Sequence, residues 1–217
     1  MKKKLMKLSL VFCMFLGITS CNKKVGGIVD ANPNEPLTDE IEMKGFMVGG
    51  IYAMYGFSGV AEVEKIVNAK SSERQDLIEA YKQIMVFSFL KEDGDDCKKT
   101  LKDFWNIDSK TTLIATLNDL KGSKKTDNPH KAWDYARLVN NVNMAYAADY
   151  LTETESQRYV SETLILAQKE FRTWEDFLKD FNIGRIIWNP ESLDNADFTK
   201  ISGEMLQNEL YKNLPLN

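Results

Sequence analysis

The chain is poor in the side chains that most often carry chemistry. Its 217 residues hold one histidine, His130, and three cysteines, Cys13, Cys21 and Cys97. With a single imidazole, serine–histidine or cysteine–histidine catalysis has one base to draw on, and the sequence pairs no nucleophile with it. His130 is expected at the surface, in the first turn of a helix beside a charged loop. Outside the N-terminal stretch one cysteine and one histidine lack the ligand spacing of a zinc site. The expectation is no metal and no cofactor. Acids are abundant, yet no spacing singles out a carboxylate pair for glycoside hydrolysis. The cluster Glu92-Asp93-Gly94-Asp95-Asp96 lacks the alternating ligands of a calcium loop and is expected as a solvated turn closing a helix. Gly45-Phe46-Met47-Val48-Gly49-Gly50 has neither the strand nor the lysine of a phosphate loop, and reads as core.

A long apolar run is also missing. The N-terminal run, Leu8 to Ile18, is about half the roughly 20 residues a helix needs to cross a bilayer. It follows a cationic start containing Lys2, Lys3, Lys4 and Lys7, which is the layout of a secretory signal over residues 1–20. The run closes with Ile18-Thr19-Ser20-Cys21. An aliphatic residue, two small residues and a cysteine resemble the bacterial lipobox, and the resemblance implies cleavage before Cys21 and a diacylglyceryl thioether on its sulfur. Each buried methylene contributes about 0.8 kcal/mol, so two or more chains anchor stably where one is marginal. The expected partner is therefore membrane lipid through acylated Cys21, at the bacterial cell envelope.

Removing the four lysines of residues 1–20 leaves 24 basic and 32 acidic side chains, a formal charge of −8. Such a chain should not seek nucleic acid, and repulsion from anionic lipid leaves membrane attachment to the tether. Cys13 departs with the signal and Cys21 is acylated, so Cys97 is the one remaining thiol and no internal disulfide can form. The fold must rest on apolar packing, for which the 197 residues from Cys21 onward are enough.

Residues 21–36 (CNKKVGGIVDANPNEP) are polar, with glycine, asparagine and proline and no apolar period, and read as the lipidated cysteine and a flexible tether. Residues 37–217 read as one all-α domain of about six to eight helices, with no alternating strand pattern. Thr38 caps a first helix that continues through Phe46 to Ala61. Its small residues Gly45, Gly49, Ala53 and Gly56 form a stripe for close backbone approach. A second helix spans about Ser72 to Leu90, with Leu77, Ile78, Tyr81, Ile84, Met85 and Phe89 on one face. Asp108 or Ser109 caps a third, whose face is Leu113, Ile114, Leu117 and Leu120, stopped by Gly122. Asn128 as cap and Pro129 in the first turn open a helix to about Tyr150. Thr152-Glu153-Thr154-Glu155 is a capping box for a helix to Phe171, and Thr173 caps another through Trp174, Phe177, Leu178 and Phe181. There, Glu175, Asp176, Lys179 and Asp180 are expected outside.

Four short strings stand out: Ala132-Trp133-Asp134-Tyr135-Ala136-Arg137, Ala148-Asp149-Tyr150-Leu151-Thr152-Glu153, Trp174-Glu175-Asp176-Phe177, and Gly184-Arg185-Ile186-Ile187-Trp188. Their order and spacing resemble the bacterial family catalogued as domain of unknown function 1266, over about residues 37–190. The resemblance implies packing roles for Trp133, Tyr150, Trp174, Gly184 and Trp188. It carries no activity. Asp149 departs from the pattern, which leads one to expect glycine in that turn.

Asp134 and Arg137 are three apart on a helix and can pair, while Asn140 and Asn141 extend the polar stripe. The surrounding residues are apolar, so the stripe is expected to be partly buried, and buried charge must be paired or solvated. Two readings stay open: a structural ion pair, or a small polar pocket in which Arg137 binds an anionic group and Asp134 orients it. The expected function is a membrane-anchored, non-enzymatic binding or interaction module, with a protein partner or a small anionic ligand. The alternatives are an envelope enzyme acting on a small anionic or glycan substrate, and an immunity-like protein whose acidic surface neutralises a basic partner.

Overall fold

The structure is a computed structural model and describes residues 39–122 and 129–217. The signal, Cys21, the tether, the Thr38 cap, the charged loop and the Asn128 cap lie outside the described residues. Residues Leu37–Asn217 form one compact unit, and every regular element among the described residues is helical. The all-α expectation holds.

The first expected helix is three: α1 (Asp39–Met47), α2 (Gly50–Gly56) and α3 (Val60–Val67). The breaks have backbone causes. Gly49 lies at φ −93°, ψ 1°, outside the helical region. Ser58 (φ 71°) and Gly59 (φ 116°) both turn left-handed before α3, a conformation glycine adopts without a steric penalty. The small-residue stripe does admit neighbours. A Cβ on Gly45 would stand 2.6 Å from Val160, and one on Gly49 would stand 2.7 Å from Val139.

α4 (Arg74–Met85) is shorter than the predicted 72–90 span. Phe87 adopts φ 50° and packs edge-on to Phe46 at 5.0 Å and against Tyr146 at 4.0 Å. Tertiary aromatic contacts thus take residues that the apolar period assigned to the helix. The acidic cluster is a correction: instead of a solvated turn, a 3-10 turn (Lys91–Asp93) leads straight into α5 (Gly94–Trp105). Asp95 and Asp96 occupy its first turn, where the positive helix end favours carboxylates. Only Gly94, Cys97 and Leu101 are buried on α5, so its apolar stripe is too narrow to announce a helix.

α6 (Lys110–Gly122) follows as predicted, with the Ser109 hydroxyl accepting from the Thr112 amide at 3.3 Å. α7 (Lys131–Ala147) is the centre of the fold: α5, α6, α8 (Glu153–Glu170) and α9 (Trp174–Trp188) all pack on it, and twelve of its seventeen residues are buried. It starts two residues after Pro129, with His130 as the flanking residue. The two threonine caps are in place. Thr152 Oγ1 accepts from the Glu155 amide at 3.2 Å while Glu155 accepts from the Thr152 amide at 3.0 Å, and Thr173 accepts from the Asp176 amide at 3.1 Å. Two further helices, α10 (Asn195–Met205) and α11 (Glu209–Asn213), close the core. The split first helix, α5 and these two raise the helix number above six to eight.

Candidate polar site on the central helix

Asp134 and Arg137 lie one turn apart on α7 and are joined, Arg137 Nη2 donating to Asp134 Oδ1. Both side chains are largely buried. The guanidinium lies 3.5 Å from the ring centre of Trp133 and 5.4 Å from that of Trp105 at the end of α5. It is therefore enclosed by a carboxylate and two indoles, a geometry that suits the flat, weakly hydrated arginine head. Burial holds the Asp134 carboxyl above the usual carboxylate range, outweighing the pull of Arg137 in the other direction. The pair is thus costly in solvation, and its Coulombic gain does not fully offset that cost.

The polar stripe goes deeper than the pair. Asn141, one turn below Arg137, is fully buried, and neither polar atom of its amide has a protein partner among the described residues. Asn140 is half-buried. On the other side Tyr52 of α2 reaches in beside α9, ring against ring with Phe181 at 5.8 Å and Phe198 at 5.6 Å. Burial pushes its hydroxyl up to about 12, opposed by the fields of Arg137 and Arg185.

Arg185 is a site residue that sequence reasoning passed over. It is 8 % exposed, its guanidinium 3.9 Å from the Phe198 ring and 3.8 Å from Asp194 Oδ2. The signal was present: Arg185 falls four residues after Phe181 and seven after Leu178, on the apolar face of α9, where a charge needs a reason. Trp105 was legible in the same way, four residues after Leu101.

The expectation for His130 is corrected. It is 21 % exposed rather than at the surface, with Nδ1 2.6 Å from Asp180 Oδ1. Asp180 in turn is not outside: its Oδ2 accepts from the Ala132 amide at 2.9 Å. A carboxylate 48 residues downstream thereby serves as the N-terminal cap of α7, satisfying an amide that the helix leaves free. Cys97 is buried, and its thiol is pushed up to about 12 by burial and by the carboxylates of Asp93 and Asp96. That leaves it a protonated, weak nucleophile at neutral pH.

The motif aromatics divide by environment. Trp133 and Trp174 are buried, and Trp174 Nε1 donates to the Leu214 carbonyl at 2.8 Å. Gly184 is buried and Tyr150 half-buried. Trp188 leans on Trp133 at 5.5 Å, yet 61 % of it is exposed. Asp149 explains its own oddity: its φ is 59°, the left-handed region where glycine is favoured and where aspartate is better tolerated than most residues. Lys91 Nζ meets Asp149 Oδ1 at 2.7 Å and lies 3.9 Å from the Tyr146 ring, bordering an open groove of about 420 Å³ that Lys110, Tyr150 and Thr152 also line. Among the described residues no group of three or more histidines, cysteines and acids converges as a metal site would require.

Residues 121–215 match the model of the family described as Protein of unknown function (DUF1266). Over that segment, which is less than half of the chain, the protein is similar to this family. The DUF1266 match begins at the last two residues of α6 and takes in α7 to α11, so it starts later and ends later than the 37–190 span that the motifs suggested. The C-terminal extension has a packing reason, since Leu210 and Leu214 are fully buried and the Leu214 carbonyl accepts from Trp174 Nε1. No curated protein and no solved structure matches the chain.

Proposed function

We propose that this chain is a lipid-anchored protein of the bacterial cell envelope, whose helical domain is a non-enzymatic binding or interaction module held at a membrane by acylated Cys21. The observation that carries the reading is the coincidence, within 21 residues, of a cationic start, a short apolar run and Ile18-Thr19-Ser20-Cys21. Among the described residues no helix is long and apolar enough to cross a membrane. For Asp134 and Arg137 the structural reading is the better supported of the two. The guanidinium closed between Trp133 and Trp105 has its best acceptor already in Asp134.

Metabolic labelling with a fatty acid tests the anchor. The wild-type chain should take up label and fractionate with membranes, and Cys21→Ser should do neither. An unlabelled wild type, or a Cys21→Ser chain that stays with membranes, would overturn the reading.

A further inference from the structure

We propose that the outer face of the C-terminal half of α9, with the turn after it, seats the domain on the lipid surface to which Cys21 tethers it. This rests on the lipid-anchor reading and adds a second, weaker contact to it. Ile183, Ile186, Ile187 and Trp188 all point outward and are exposed, and Leu193 in the following turn is 93 % exposed. Half of the large apolar side chains exposed among the described residues therefore fall in the eleven residues 183–193. An ordinary surface helix is polar on its outer face. The first half of α9 obeys, exposing Glu175, Asp176 and Lys179; the second half does not.

Charge separates this face from the rest of the molecule. Between Ile183 and Trp188 the one charged side chain, Arg185, is drawn inward over Phe198. In the turn that follows, Glu191 is exposed, so over residues 183–193 the net acidity that opposes contact with a bilayer acts through a single outward carboxylate. Trp188 adds an amphipathic ring of the kind that collects at the headgroup level of membranes.

The length of chain outside the described domain favours lipid as the occupant. Seventeen residues, 22–38, separate Cys21 from α1. A flexible chain of that length spans about 20–25 Å on average, while a domain of this size has a radius of gyration of about 16 Å. The domain is thus held within its own dimensions of the surface, at an effective concentration of the order of millimolar, where a patch too weak to bind alone is occupied. Apolar side chains entering the interface beside an acylated residue form the two-part attachment that makes anchoring stable.

The test uses the acylated full chain, reconstituted in zwitterionic phosphatidylcholine vesicles that carry bromine on their acyl chains. Flotation and fatty-acid labelling first establish attachment; a chain that carries no acyl group and does not float brings down the anchor reading and this one with it. In a chain that floats, tryptophan fluorescence should be quenched, and Trp188→Phe should abolish the quenching. The double variant Ile187→Asp, Leu193→Asp should abolish it too while leaving the melting temperature unchanged, because both side chains are exposed. A floating wild type without quenching at Trp188 overturns the proposal and leaves the anchor standing. So does a protein that dimerises through this face, shown by monomers in the double variant and dimers in the wild type.

Discussion

At the residue scale the molecule relies on a few polar groups placed where burial makes them expensive. Arg137 is the clearest case. Its removal strands Asp134, already raised in pKa by burial, and takes a guanidinium from between two indoles. Breaking a fully buried pair costs about 3–5 kcal/mol, and this one retains some solvent contact, so Arg137→Ala should cost about 2–3 kcal/mol, read from the denaturant midpoint. Arg137→Lys keeps the charge but not the flat stacking surface and should fall between. An Arg137→Ala protein as stable as wild type would remove the structural role and return the pair to ligand binding. Glu155 gives a second, pH-dependent case. The Lys110 ammonium and the Thr152 backbone amide lower its carboxyl from the ordinary 4.5 to about 2. A lowered folded-state value means stability that is present above the unfolded value and lost as pH falls from about 4.5 towards 2. Wild type should therefore exceed Glu155→Gln in urea midpoint at pH 7, with the gap closing towards pH 2. Because Glu155 is near the surface, added salt should narrow the gap as well.

At the scale of the element, legibility follows the reach of the signal. Thr152 with Glu155, and Thr173 ahead of Trp174, are local devices, and the helices they open begin where the sequence puts them. The Asp134–Arg137 pair is equally local, three residues on one helix. What could not be read is whatever depends on a partner far along the chain. Asp180 caps α7 across 48 residues, Phe87 leaves the α4 period to meet Phe46 and Tyr146, and α5 buries too few side chains to show a face. The glycines of α1 and α2 combine both situations. Their small size was legible as a device for close approach, whereas the interruption of the helix at Gly49 came from backbone geometry that composition does not reveal. Gly49→Ala should destabilise by about 1–3 kcal/mol, since its Cβ would overlap Val139 and the neighbouring backbone leaves little room to yield. Gly203 is the matched control. It is exposed within α10, with nothing near the added methyl, so Gly203→Ala should stabilise by about 0.5–1 kcal/mol through the unfolded chain. Thermal melts of the two variants, moving in opposite directions, would separate packing from helix propensity.

For the molecule as a whole, the family boundary and the folding boundary differ. The DUF1266 match starts at residue 121, but the helices it contains are closed by those before it. Asn208 Nδ2, at the cap of α11, donates to the Tyr81 hydroxyl at 2.6 Å and to Glu64 Oε1 at 2.8 Å, and the Tyr211 hydroxyl donates to the Met47 carbonyl at 3.2 Å. Burial raises the Tyr211 hydroxyl far above its ordinary value, so this donor is protonated at neutral pH. On the central helix, Trp105 covers Arg137 and Gly49 admits Val139, and both covering residues lie upstream of the match. A fragment of residues 121–217 would therefore expose one side of α7 and leave buried polar groups without their partners, each at a cost of about 1–3 kcal/mol. Against a net stability of about 5–15 kcal/mol for a whole domain, losses of that number and kind exceed what the fragment's own contacts can offset. The fragment should show far-ultraviolet helix signal, bind a hydrophobic dye and melt without a cooperative transition, whereas residues 37–217 should melt in one step. A sharp thermal transition in the 121–217 fragment would instead mark the matched segment as an autonomous unit, with the preceding helices an addition to it.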